Sequence, residues 1–231
     1  MYLCYEYRKP NEDRIDMIMK DVIEHYNKLI DENNDPVHDP KPLRDYMDKW
    51  DGQKFIDSMQ LDESKSVLEI GVGTGRLALK VAPLCKSLLG IDISSKTIQK
   101  ANENLSRYHN VKLVCDDFIS FNFDECFDVI YSSLTFMHIE NKSSAIQKIA
   151  SLLRHDGLFV LSIDKNQSEF IDIGTRKIKI YPDNPEDICG FILKTNLKII
   201  EQYETEHAYV TVSQKAFSLR RRLTDPSPIP C

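Results

Sequence analysis

The 231 residues are 42% hydrophobic and 29% charged, with 30 Lys and Arg against 36 Asp and Glu and a net charge of −6. That length suits one α/β domain with an N-terminal elaboration, and the acidic balance makes nucleic acid an unfavourable partner, since phosphate contacts need clustered positive charge. No apolar run approaches the ~20 residues of a membrane span, and Met1-Tyr2-Leu3-Cys4-Tyr5-Glu6 lacks the basic and apolar regions of a signal peptide, so a cytoplasmic protein without membrane association is expected.

Asn11 can cap a helix whose first turn holds Glu12 and Asp13, and Ile15, Ile18, Met19, Val22, Ile23, Tyr26, Leu29 and Ile30 follow at helical spacing. Residues 31–42 are polar and contain Pro36, Pro40 and Pro42, so they read as a linker. A second helical stretch puts Leu43, Tyr46, Met47 and Trp50 on one face, and Gly52 interrupts it before Phe55, Ile56 and Met59. From residue 67 the pattern becomes strand and helix in turn. Strands are expected at 67–70, 88–91, 111–115, 127–132 and 157–163, with helices at 76–82, 95–105 and 142–153 between them. Such alternation implies a parallel sheet with helices on both faces. Residues 175–181 read as an extra hairpin strand, and Asn184-Pro185-Glu186-Asp187 as a helix start. Strands at 197–203 and 209–212 lie too close for a parallel crossover and should pair antiparallel. The expected division is a helical extension over 1–60, a catalytic domain over 61–216 and a tail over 217–231, where Arg220-Arg221-Arg222 precedes Asp225-Pro226-Ser227-Pro228 as a solvated segment. Cys4, Cys85, Cys115, Cys126, Cys189 and Cys231 form no CxxC pair and read as reduced thiols with no metal site; Cys115 reads as core.

The informative segment is Glu69-Ile70-Gly71-Val72-Gly73-Thr74-Gly75-Arg76, between a strand and a helix. Glycines there allow sharp turns and close approach to a ligand. The third glycine falls two positions after the second, whereas a dinucleotide fingerprint places it three after. Glu69 would repel a pyrophosphate yet attract an ammonium group, so the loop suits a cationic, zwitterionic ligand. Asp92 ends the second strand, where an acid can accept both ribose hydroxyls, though a plain helix cap before Ser94 and Ser95 competes. Asp116 and Asp117 end the third strand, where an adenine edge could be met, and Phe118 could stack on or flank that ring.

These residues carry a specific resemblance. Val67 to Gly75 resembles motif I of class I S-adenosylmethionine-dependent methyltransferases, and Leu89-Gly90-Ile91-Asp92-Ile93-Ser94 is similar to their second motif. Val114 to Phe118 resembles the third motif, Phe127 to Ser133 the fourth strand and its exit, and Leu153-Arg154-His155-Asp156-Gly157-Leu158 the turn into the fifth. His155-Asp156-Gly157 departs from the family's usual L-x-P-G-G turn. The resemblance implies a Rossmann-like seven-stranded, mostly parallel sheet of order 3-2-1-4-5-7-6 with strand 7 antiparallel. It also implies S-adenosyl-L-methionine as cofactor, held by Glu69, Gly71, Gly73, Gly75, Asp92, Ile93, Asp116, Asp117, Phe118, Ser132 and Ser133.

Methyl transfer from a sulfonium is an in-line displacement that depends on holding acceptor and methyl close and aligned, so the motifs name no catalytic residue. Tyr46, Trp50, Thr135, His138 and Arg176 are candidate acceptor-site residues, with Tyr5, Tyr7, Tyr131 and Tyr181 behind them; each could equally be core or surface. His138 could serve as a base or as a structural histidine. No Asn-Pro-Pro-Tyr segment is present, so a small-molecule acceptor is expected of a monomer or homodimer. The rivals are an RNA or protein methyltransferase, a non-catalytic S-adenosylmethionine binder and a nicotinamide-dependent dehydrogenase.

Overall fold

A computed structural model describes the backbone of residues 10–216, with side chains from Met19 onward. Tyr5, Tyr7, Cys4, Cys231, the Arg220–Arg222 cluster and the side chain of Asn11 lie outside the described residues.

Helix α1 (Pro10–Asp31) already contains Asn11, the expected cap. Helix α2 (Lys41–Met47) follows the proline-rich connection. It buries no side chain, and Leu43 and Tyr46 are exposed, so its expected apolar face is not a core face. Gly52 does not interrupt a helix but opens α3 (Gly52–Asp57), where its φ of 67° suits a residue without Cβ. The Asp51 carboxylate caps α3 by accepting from the Gly52 amide at 2.8 Å. Phe55, Ile56 and Met59 of this stretch are buried against the sheet.

The sheet begins with β1 (Ser66–Ile70), followed by α4 (Ala78–Val81) and a 3-10 turn at Ala82–Leu84 that contains Pro83. Then come β2 (Ser87–Asp92), α5 (Ser95–Asn104), β3 (Val111–Cys115), β4 (Phe127–Ser133), α6 (Lys142–Leu152) and β5 (Leu153–Asp164). A short hairpin of β6 (Phe170–Asp172) and β7 (Lys177–Lys179) precedes α7 (Pro185–Leu193), β8 (Leu197–Glu204) and β9 (Ala208–Lys215). The seven-stranded order is β3-β2-β1-β4-β5-β9-β8. Strands β1 to β5 are parallel, and β9 runs antiparallel to both β5 and β8. With the separate β6–β7 hairpin set aside, this is the order 3-2-1-4-5-7-6 with the seventh strand reversed.

Period-two alternation divides the sheet residues between two buried clusters. Val67, Val129, Tyr131 and Val160 join the cluster under α3, α4 and α5, and Leu68, Ile70, Ile130 and Phe159 join that under α6 and α7. Both faces are therefore covered. The turn into β5 shows why it tolerates a departure from the family form: Asp156 adopts the left-handed conformation (φ 61°), and Gly157 leaves no room for a side chain because a Cβ would meet the Arg154 carbonyl at 2.9 Å.

Cys85 is a buried free thiol and Cys189 a half-buried one. Cys115 is free and exposed, not core, because β3 is the edge strand and is incompletely covered. Cys126 is disulfide-bonded, which corrects the reading of all six as thiols.

Candidate functional site

In an open α/β sheet, ligands bind beyond the carboxyl ends of the strands where the strand order reverses. Here that point lies between β1 and β4, and a cavity of about 580 Å³ opens there. Its floor is the loop after β1, its sides are the ends of β2, β3 and β4, and its roof is α1, which supplies Met19, Val22, Tyr26, Leu29 and Ile30.

Glu69 is placed by strand register. Its Cα partner on β4 is Tyr131, so both side chains face the same way. The Tyr131 hydroxyl donates to Glu69 Oε2 at 2.7 Å. Burial pushes the Glu69 carboxyl up to about 8, against the Tyr131 hydrogen bond and Arg76, which pull it down. The following loop depends on glycine at particular positions. Gly71 has φ 77°, and a Cβ there would overlap Thr135. Gly73 has φ 55° with open space beside it, and its amide donates to Asp92 Oδ2 at 3.1 Å. Asp92 Oδ1 accepts from the Ser94 amide at 3.0 Å. Asp92 thus braces the loop to β2 at one cavity wall while Ser94, whose hydroxyl accepts from Thr97 N, caps α5. Desolvation raises the Asp92 pKa, and amides from Ser94, Gly73 and Ile93 work against that rise.

A buried network supports the loop from below. Arg76 donates to both carboxylate oxygens of Asp51, at 3.0 and 2.5 Å, and Ser133 Oγ donates to the same carboxylate at 2.9 Å. Bidentate pairing of this kind fixes orientation as well as charge. The segment before α3 is thereby tied to the glycine loop and to the end of β4.

The exit of β4 forms the opposite wall. Leu134 adopts φ 57°, a strained conformation for a branched side chain, and leads into a 3-10 turn at Phe136–His138. His138 Nε2 and the Tyr26 hydroxyl are 2.8 Å apart, and the two rings meet edge to face. Desolvation, with smaller effects of His25 and Lys142, pushes the His138 imidazole down to about 4. Burial and the nearby Asp92 hold the Tyr26 phenol well above its ordinary range. Two buried polar atoms of cavity-lining residues, Thr74 Oγ1 and His138 Nδ1, have no hydrogen-bond partner among the described residues. Buried polar atoms are normally paired, so both are suited to a ligand's polar groups.

Of the sequence-derived cofactor set, Glu69, Gly71, Gly73, Asp92, Ile93, Asp116, Asp117, Phe118 and Ser133 line this one cavity. Gly75 does not. Its φ of 96° turns the chain back toward α5, where a Cβ would meet Leu105 at 2.9 Å. Ser132 does not either, because it is fully buried and donates to the Ile70 carbonyl. Phe118 is buried and packs near Phe123, with Lys148 above its ring, so it flanks the space as part of the core. Of the acceptor-site candidates, Thr135 and His138 line the cavity, as does Tyr181. Tyr46 and Trp50 pack against each other and His207 away from it. Arg176 also lies outside the lining, paired with Glu32 of the segment after α1 and with His25. Tyr131 lies in the core behind Glu69.

Sequence reasoning missed the roof and the Asp51–Arg76 pair. The apolar stripe of α1 was legible, but not that one part of it faces a cavity. Arg76 directly after the glycine loop was the available signal for a buried acidic partner.

Among the described residues no group of three or more His, Cys, Asp or Glu side chains is placed to hold a metal ion, and no helix is long and apolar enough to cross a membrane. The sequence profile of the methyltransferase domain matches residues 68–161. An uncharacterized methyltransferase of Anoxybacillus flavithermus is 32% identical over 172 residues, covering 71% of this chain and 79% of that protein. A putative methyltransferase of Invertebrate iridescent virus 6 is 29% identical over 113 residues, and the match spans 42% of its length. In fold, the chain resembles the N-methyltransferase NodS of Bradyrhizobium japonicum WM9, solved in complex with S-adenosyl-L-homocysteine. The TM-score is 0.65 at 18% identity, over 86% of this chain and 98% of that one.

Proposed function

Because the chain belongs to the class I S-adenosylmethionine-dependent methyltransferases, we propose that it methylates a small-molecule acceptor enclosed between the exit of β4 and the underside of α1. The observation that carries this reading is the character of the cavity wall. It is roofed by an apolar helix face, and its ionisable lining is acidic, with Glu69, Asp92, Asp116, Asp117 and Glu140 against Arg76 alone. Arg76 is already committed to Asp51. A polyanionic acceptor would meet unfavourable charge at such a rim, while a compact acceptor, cationic or neutral, would not.

The residues present fit S-adenosylmethionine. Glu69 would face the ammonium group, Asp92 the ribose hydroxyls, and Asp116 and Asp117 the adenine edge beside Phe118. Thr74 Oγ1, without a hydrogen-bond partner among the described residues, would take up a polar group of the amino-acid part. When bound, the cofactor supplies an electrophilic methyl group. The chain's own contribution is to orient and to exclude water. Val22, Leu29 and Ile30 close the space from above, and a dry, shaped site favours a reaction that disperses charge. His138, neutral across the physiological range, presents an unpartnered Nδ1. We assign it the hydrogen bond that orients the acceptor, with Tyr26 fixing the ring from the other side.

Two measurements test this. Calorimetric titration with S-adenosylhomocysteine and with NAD should show binding of the first alone. Transfer of labelled methyl should then be assayed over small amines, phenols and carboxylates, set against tRNA and protein. Label confined to the macromolecules would defeat the acceptor assignment.

A further inference from the structure

Arg176 sits in the turn of the β6–β7 hairpin, outside the cavity, and spans the gap between that hairpin and the roof helix. Its guanidinium donates to both Glu32 oxygens, at 2.6 and 2.9 Å, and its Nε donates to His25 Nδ1 at 2.9 Å. The fork therefore holds the roof at His25 of α1 and at Glu32 just past its C-terminal end, about two turns apart on one face, a geometry that lysine cannot reproduce. The other flank of α1 is held by α5. Asn27 Oδ1 accepts from Ser94 Oγ and from the Lys96 amide, at 3.0 and 3.1 Å, and Asp31 pairs with Lys96. Between these two clamps α1 presents Val22, Tyr26, Leu29 and Ile30 to the cavity.

The hairpin side of the clamp reaches the acceptor wall directly. Tyr181, just beyond β7, lines the cavity, and its amide donates to the Met137 carbonyl at 2.8 Å. Lys142 Nζ donates to the Tyr181 carbonyl at 2.9 Å. Through the hairpin, Arg176 thus adds a second link between the roof and the segment that carries His138, beside the Tyr26–His138 hydrogen bond. The roof helix covers one side of the cavity, so its hold on the hairpin bears on how readily a large ligand enters and leaves. The flank held by Arg176 is the one whose polar contacts converge on a single residue.

We propose that Arg176 is a positioning residue: a latch that fixes α1 over the cavity and governs how fast product is released. The second clause rests on the cavity's being the cofactor site; the first does not. Hydrogen exchange on the ligand-free protein tests the latch itself. Arg176→Ala and Glu32→Gln should each speed exchange of amides 19–31 by roughly two- to fivefold, the range an exposed pair commands. Exchange in β1 to β5 should be unchanged, and the double variant should be no faster than the faster single one. Stopped-flow release of S-adenosylhomocysteine should quicken by a similar factor. Unchanged α1 exchange in Glu32→Gln and Arg176→Ala would overturn the latch, as would acceleration spread through the sheet or fully additive effects. Glu32 is half-exposed, so its variant will fold. If S-adenosylhomocysteine failed to bind at all, the functional reading would fall, while the exchange data would still decide the latch.

Discussion

Glu69 is a carboxyl group whose ionisation the fold opposes until a cation arrives. Its pKa rises from 4.5 to about 8 because it is buried. The folded state therefore holds the proton more tightly than the unfolded chain. Stability contributed by the protonated group is complete below pH 4.5 and is lost as pH rises through about 8. Binding an ammonium group would favour the ionised form, so affinity for S-adenosylhomocysteine should tighten between pH 6 and 8, by no more than about tenfold per pH unit. Glu69→Gln should flatten that dependence and weaken binding, as calorimetry across this pH range would show. Asp92→Ala removes the acceptor for the Gly73 and Ser94 amides as well as the proposed ribose contact. It should weaken the same ligand by roughly tenfold to a hundredfold, the value of a hydrogen bond to a charged group. Both residues were legible because each stands at a strand end in a motif. Tyr131 as the partner of Glu69 was not, because only the register of β1 on β4 brings together residues 62 positions apart.

At the level of elements, the strands announced themselves by continuous apolar runs, and α7 by its start signal. Asn184 Oδ1 accepts from the Asp187 amide with Pro185 in the first turn, as its sequence implies. Asn184→Ala should cost about 1 kcal/mol, a fall of roughly 2–4 °C in a thermal melt. The weaker readings share a cause. A short apolar stripe such as Leu43, Tyr46, Met47 and Trp50 cannot say whether a core lies opposite it, and α2 faces none. Conversely, α1 looked like an ordinary amphipathic helix, yet part of its apolar stripe roofs a cavity. Long-range contacts set its position, among them Tyr26 to His138 across 112 residues, Arg176 to Glu32 across 144 and Ser94 to Asn27 across 67. Val22→Asp, which puts a carboxylate into that roof, should abolish ligand binding while leaving the far-ultraviolet dichroism of the sheet intact.

For the molecule as a whole, ligand and fold are linked by mass action. At a hundredfold excess over its dissociation constant, a ligand that binds only the folded state adds about 2.7 kcal/mol. S-adenosylhomocysteine should then raise the melting temperature by roughly 5–10 °C, and NAD should not. A shift of equal size with NAD would contradict the family's cofactor preference in this chain. The order of the sheet has another consequence. Strand β9 is the last strand among the described residues, yet it lies between β5 and β8. While the chain emerges from the ribosome, the flank of β5 has no neighbour until residues near 208 are available, and β8 has nowhere to dock. A polypeptide ending at 204 would keep nearly all its helices but expose the unpaired rim of a long apolar strand, an invitation to self-association. Its appearance in the insoluble fraction, with the full-length chain soluble, would show that the final hairpin is what seals the protein.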